Sequence, residues 1–281
     1  MTTETMEKPE LKIPKGIKVE MIDVRGQMLR VAIKSGDMDR PPLLMFNGIG
    51  ANLELGFSFL TALGNRRAIL FDVPGVGGSP MPALPYRPST LARMSKHLLE
   101  QLEIDQVDVS GVSWGGGLAQ QFAWQYPKIC RKLILVSTSS GWTMVPGKPS
   151  VLSKMTNIKR YTDKGYMRTI AAEIYGGAFR KDRALIGGHV AGMRPSSNAG
   201  YMLQLLGMTG WTSVPWLWRL KQPALVISGT DDPLIPVANA KLLAHLIPNA
   251  RLELVDDGHL FIVTSPKETA VMVNDFLDAA V

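Results

Sequence analysis

Between residues 18 and 33 the chain alternates. KVEMIDV at 18–24 and MLRVAI at 28–33 place polar and apolar side chains largely in turn. A strand with one wet and one dry face has that period, so both stretches predict half-exposed antiparallel strands. From residue 43 the pattern changes. Residues 43–46, 68–71, 107–109, 133–136, 224–227 and 252–255 are short, almost wholly apolar runs. Such runs fit strands covered on both faces, as in a mostly parallel sheet. Helical spacing of apolar positions lies between them, at about 53–63, 89–103, 115–126, 237–247 and 267–279. Strands alternating with helices predict a doubly wound α/β fold.

The rhythm breaks once. After 133–136 no strand signal returns until residue 224. The gap carries Gly141, Pro146, Gly147, Pro149, Gly176 and Gly177, and reads as short helices and loops. It holds four of the six tryptophans, Trp142, Trp211, Trp216 and Trp218, with Tyr161, Tyr166, Tyr175, Phe179 and Tyr201. A structureless insertion of this length is unusual, so a helical cap inserted before the last two strands is expected. The organisation predicted is a flexible tail at 1–17, a core at 18–140 and 223–281, and a cap at 141–222. The cap's aromatics suit either a small core of its own or the roof of an apolar pocket.

The 281 residues suit one large domain with an insertion. A net charge of +7 first suggests nucleic acid. Its distribution argues otherwise. Residues 141–222 hold 12 Lys or Arg against 3 Asp or Glu, of 31 and 24 in the whole chain, so the excess sits in the cap. No nucleic-acid motif accompanies it, and no nucleic-acid partner is expected. No run of about 18 apolar residues exists, so no membrane span is expected. The N-terminus lacks the apolar core of a signal peptide. Cys130 is the one cysteine, which excludes an internal disulfide and fits a cytoplasmic protein.

Candidate chemistry begins at Gly111-Val112-Ser113-Trp114-Gly115, after a strand and before a helix. In that context Gly-x-Ser-x-Gly is a nucleophile elbow: a tight turn lifts the serine clear of the sheet at a helix N-terminus. A serine hydroxyl needs a base. Of four histidines, His97 and His245 lie in helical patterns and His189 in the cap, whereas His259 follows the run at 252–255. Catalytic groups gather at that carboxyl edge of such sheets, so His259 is the expected base. The base needs an acid to fix its tautomer. Asp231 and Asp232 follow the run at 224–227; Asp232 fits Gly-x-x-Asp-x-x-x-Pro from Gly229 to Pro236, leaving Asp231 as a turn residue. The order Ser, Asp, His is that of an α/β-hydrolase.

An oxyanion hole needs two N–H donors. The amides of Trp114 and Ile49 are the candidates, the latter from Asn47-Gly48-Ile49-Gly50. Asn47, Trp142, Trp216 and Trp218 are candidate pocket residues, and the Trp114 indole is expected to line the acyl slot. Asp72-Val73-Pro74-Gly75-Val76-Gly77-Gly78-Ser79 lacks the ending of a phosphate loop. No cluster has metal-ligand spacing, and no cofactor is expected.

Several phrases resemble the intracellular, medium-chain-length poly(3-hydroxyalkanoate) depolymerases of the α/β-hydrolase superfamily. They are FNGIGANLEL, FDVPGVGGSP, GVSWGGGLAQQFA, VPGKP, YGGAFR, DDPLIP and DDGHLF, spread from residue 46 to 261. The resemblance implies an enzyme that cleaves storage polyester at the surface of cytoplasmic granules and releases 3-hydroxy acids or oligomers. Competing readings on the same triad are a general carboxylesterase or lipase, a carbon–carbon bond hydrolase and a cofactor-free haloperoxidase. A non-enzymatic granule-coat protein is a further alternative. Dehalogenases and epoxide hydrolases need a carboxylate where Ser113 stands.

Overall fold

The computed structural model describes residues 13–157, 159–194 and 197–280. Most of the predicted tail, residues 1–12, lies outside the described residues, as do Ile158, Pro195, Ser196, Val281 and the side chain of Tyr161.

Among the described residues eight strands form one sheet, in the order β1-β2-β4-β3-β5-β6-β7-β8. They are β1 Ile17–Val24, β2 Gln27–Lys34, β3 Leu43–Phe46, β4 Ala68–Phe71, β5 Val107–Val112, β6 Cys130–Val136, β7 Ala224–Gly229 and β8 Ala250–Val255. The two alternating stretches are the antiparallel pair β1–β2, and β2 meets β4 antiparallel. Every other pairing is parallel. The apolar runs are apolar because both faces are covered. In β3, Leu44 and Phe46 face one core, and Leu43 and Met45 the other. In β6 and β7 the same division separates Leu133, Leu135, Ala224 and Val226 from Ile134, Val136, Leu225 and Ile227. The run at 252–255 departs from this: β8 is the sheet's edge, and its residues are only half-buried or exposed.

Helices α2 Pro88–Gln101, α3 Trp114–Gln125 and α10 Val237–Leu246 contribute to one core; α1 Phe57–Ala62, α11 Phe261–Thr264 and α12 Pro266–Asp278 to the other. One predicted helix is divided: the 53–63 segment starts as a tight 3₁₀ turn, Leu53–Gly56, before α1. The C-terminal helix is whole and begins at Pro266, with α11 as a separate, unpredicted turn before it. Proline accounts for that start, since it opens a helix without loss of a bonded N–H but disfavours helical backbone before it.

Between β6 and β7 stand α4 Pro149–Met155, α5 Lys159–Thr162, α6 Lys164–Tyr175, α7 Ala178–Lys181, α8 Arg183–Gly192 and α9 Asn198–Met208, then a 3₁₀ turn, Val214–Arg219. The longest, α6, shows why the segment folds. Asp163 caps it, accepting from the Gly165 and Tyr166 amides, and Met167, Ile170, Ala171 and Ile174 make its buried stripe. That stripe packs with Val151, Phe179, Ile186, Val190 and Tyr201 into a third core, which also takes in Ile49 and Leu234 from loops of the sheet. Among the described residues no helix is long and apolar enough to cross a membrane.

Candidate active site

Ser113 stands at the carboxyl end of the central strand β5, one residue before α3. Its backbone has φ 54° and ψ −120°, a conformation that costs a residue with a side chain one to a few kcal/mol. The surroundings hold it there. The Ser113 amide donates to the Val136 carbonyl (2.9 Å), and its own carbonyl accepts from the Gly116 amide (2.9 Å) and the Thr138 hydroxyl (2.6 Å). The flanking glycines are needed because the chain passes itself closely. A Cβ on Gly111 would lie 2.2 Å from the Gly115 carbonyl oxygen, and one on Gly115 would lie 2.3 Å from that of Phe46. The loop after β3 comes equally near: a Cβ on Gly48 would sit 3.7 Å from that of Ser113.

Asp232 and His259 come from the loops after β7 and β8. His259 Nδ1 lies 2.7 Å from Asp232 Oδ2. Asp232 Oδ1 accepts from the amides of Leu234 (2.9 Å) and Ile235 (2.8 Å), so both carboxylate oxygens are engaged. The residues are 8% and 2% exposed, and their contact is buried. A carboxylate on Nδ1 leaves Nε2 as the ring nitrogen available for chemistry. The His259 amide donates to the Tyr175 carbonyl (2.6 Å), and the Tyr175 ring lies parallel to the imidazole with centroids 6.2 Å apart. The other histidines are elsewhere in role: His97 meets Glu100 on α2, and His245 is exposed on α10.

Ser113 and His259 line one cavity. Asn47 and Ile49 line it too; the Asn47 amide also donates to the Asn52 carbonyl (3.1 Å). One part of the wall is apolar and comes from the sheet and its nearest helices: Met45, Phe59, Val112, Ile262 and Val263. The other comes from the helical insert: Met155, Arg160, Tyr175, His189 and Met193. None of the insert's wall residues stands out in the sequence by motif. The available signal is Tyr175, immediately before the paired glycines of YGGAFR.

Trp142, Trp216 and Trp218 are not among the lining residues, which corrects the pocket expectation. Trp142 is 71% exposed. Trp216 stacks on Trp124 of α3 at 5.3 Å and meets Trp211 edge-on at 6.1 Å. Trp218 is 58% exposed, with the Arg219 guanidinium 4.6 Å from its ring centroid. The physical reason is that the Val214–Arg219 turn packs against the core on the α3 side, through Leu217 and Leu220, away from the cavity. The Trp114 indole is also not in the lining; it donates to the Gln204 carbonyl of α9 (3.1 Å) and so ties the elbow to the insert.

Asp231 has a separate task. It binds Arg180 and the Gly177 amide (2.8 Å), while Asp257 accepts from the Ala178 amide (2.7 Å). Gly176 and Gly177 have φ of 67° and 48°, and a Cβ on either would lie about 2 Å from the loops after β7 and β8. YGGAFR is therefore where the insert docks beside His259. A second tie joins Glu54 to Arg30 and Arg194, both at 2.7 Å, with Asn52 bonding the Gly192 carbonyl and the Arg194 amide. Burial alone would raise the Glu54 pKa, but hydrogen bonds from Arg30 and Asn52 hold it below its ordinary value.

The chain is similar to known proteins. A family profile described as the alpha/beta hydrolase fold matches residues 41–266. A poly(3-hydroxyalkanoate) depolymerase of Ectopseudomonas oleovorans is 49% identical over 257 residues, 91% of each chain. A 3-oxoadipate enol-lactonase of Acinetobacter baylyi is 25% identical, covering 83% of this chain and 86% of its own. Among solved structures, a hydrolase from Pseudomonas aeruginosa superposes with a TM-score of 0.79 at 24% identity, over 93% of this chain and 98% of its own. The resemblance drawn from the sequence motifs is borne out, and with it the fold class. The chain belongs to the α/β-hydrolase fold family.

Proposed function

We propose that the protein is a serine hydrolase that cleaves the ester bonds of poly(3-hydroxyalkanoate). The observation that carries the reading is the His259–Asp232 pair, buried and 2.7 Å apart, with His259 lining the same cavity as a serine held at φ 54°. The substrate class rests on the 49% identity to the depolymerase.

His259 Nε2 takes the proton of Ser113 Oγ, which attacks the ester carbonyl carbon. The carbonyl electrons move to oxygen, and the amides of Trp114 and Ile49 stabilise the charge. The intermediate collapses, the bond to the leaving 3-oxygen breaks, and His259 protonates that oxygen. Water then gives a proton to His259 and attacks the acyl-enzyme; Ser113 regains its proton and the acid departs. Asp232 stays ionised and holds the ring. No cofactor enters these steps.

Residues 141–222 act as a cap in this reading and govern access. The cap's exposed Trp142 and Trp218, with its excess of Lys and Arg, favour adsorption to an apolar granule bearing an anionic rim, in a cytoplasmic setting. The test is to incubate the purified protein with emulsified polymers of short and medium side chains and identify the products. Clearing with release of 3-hydroxy acids or oligomers, absent in Ser113→Ala, supports the reading. Hydrolysis of small soluble esters without clearing would instead make it a general carboxylesterase.

A further inference from the structure

The cavity wall is sorted by chemistry, and ester hydrolysis alone does not explain the sorting. The sheet side is apolar at Met45, Phe59, Val112, Ile262 and Val263, as an alkyl side chain requires, and its polar lining groups are Asn47 and the pair Ser113 and His259. The insert side carries a guanidinium and an imidazole, Arg160 and His189. Both residues are more than nine-tenths buried. Burying such groups costs free energy that leucine in their place would not. The interior repeats of a polyester hold ester oxygens and alkyl chains and carry no charge. A free acid end carries a full one.

His189 is the more telling of the two. Its Nδ1 is buried and has no hydrogen-bond partner among the described residues. The ring is held edge-on against Tyr175 (5.4 Å, 81°) and Phe179 (5.6 Å, 82°), which opposes rotation toward another partner. Unsatisfied buried polar atoms are rare in folded proteins and call for a reason. Burial, and then the charge of Arg160, push the His189 pKa down to about 4. The imidazole is therefore neutral near pH 7, with one nitrogen an N–H donor and the other an acceptor.

Arg160 is linked to the chemistry through one side chain. Its Nη2 donates to the Tyr175 hydroxyl at 3.0 Å, and Tyr175 is the residue whose ring lies parallel to His259. A group held at Arg160 thus occupies the cavity in which Ser113 works, one aromatic ring from the base.

We propose that the insert-side end of the cavity is a carboxylate subsite, in which Arg160 and His189 hold the free acid end of a 3-hydroxyacyl chain while Ser113 attacks an ester of that chain. The inference rests on the ester-hydrolase reading and adds a preference to it. Chain ends and short oligomers with a free carboxylate are better substrates than the same esters with that end blocked. Arg160 and His189 are specificity residues here, and neither takes part in a covalent step.

The test compares a 3-hydroxydecanoate dimer, as the free acid, with its methyl ester at pH 8. A charge-assisted pair of hydrogen bonds gives the free acid an advantage in kcat/KM of about 10-fold or more, carried by a lower KM. His189→Phe keeps the ring contacts, and Arg160→Met removes the charge; each should bring the ratio to about 1, with folding checked by thermal melting. Since Arg160 also supports Tyr175, a calorimetric titration of 3-hydroxydecanoate into Ser113→Ala, with and without His189→Phe, gives a readout that needs no turnover. Binding weakened several-fold by the second substitution supports the subsite. Equal use of acid and methyl ester by the wild type, or a ratio that survives both variants, overturns it. Those results leave the esterase reading standing, whereas no hydrolysis of any ester fails that reading while the titration still decides the subsite.

Discussion

Asp231 and Asp232 are neighbours in sequence and serve different regions. Asp232 faces inward and holds His259 at the carboxyl edge of the sheet; Asp231 faces the helical insert and binds Arg180 and the Gly177 amide. The sheet edge is built from backbone ladders, so a residue at a strand's end has its place set by register. The insert is built from side-chain packing, and its positions depend on which stripe meets which. The comparison teaches where each kind of information lies. In the proposed reading, reaction type is set at the sheet edge and choice of substrate by the insert's wall.

The largest effect separates the two regions most cleanly. Ser113→Ala should lower ester turnover by about 10⁵-fold or more, while melting near the wild-type temperature, because the variant removes only the hydroxyl. Asp232→Asn comes next. It keeps the shape and loses the tautomer, so kcat should fall about 10⁴-fold. Asp231→Asn is its control. The pair with Arg180 is half exposed and worth about 0–1 kcal/mol, so kcat should change no more than a few-fold. Equal losses in the two aspartate variants would abolish the division proposed here.

The next prediction concerns the insert's stability. His189 has a folded-state pKa of about 4, below the usual value near 6.5 for an unfolded chain. Between those values the unfolded chain binds more protons. The neutral buried ring therefore contributes stability above pH 6.5 that is lost as pH falls toward 4, by up to about 3 kcal/mol. Chemical denaturation of His189→Phe should show a flatter acid limb than the wild type; parallel limbs would refute the assignment. The smallest effect belongs to Trp142→Ala. It should leave hydrolysis of soluble esters unaltered and reduce adsorption to emulsified polymer, measured by sedimentation.

Legibility in the sequence follows the same division. Short apolar runs gave the strands closely, because burial on both faces leaves no other pattern; β3 and β4 begin and end where the runs do. Ser113, Asp232 and His259 were candidates because each follows such a run, and the sheet brings Asp232 and His259 together. The insert was legible as helices and little further. Aromatic content does not say which tryptophan is covered or by what: the partner of Trp216, Trp124 on α3, is a tertiary fact. Arg160 and His189 carried no signal, because a buried polar side chain and a surface one look alike in a chain. Gly176 and Gly177 were noticed as loop punctuation, and their positive φ against the loops after β7 and β8 appears only in three dimensions.

The measurement that tests the central claim most directly is covalent labelling with a fluorophosphonate, followed by peptide mapping. The account predicts a single modified residue, Ser113, with no labelling in Ser113→Ala, slow labelling in Asp232→Asn and near-normal labelling in Asp231→Asn. A label on another residue, or one whose rate is indifferent to Asp232, would contradict it.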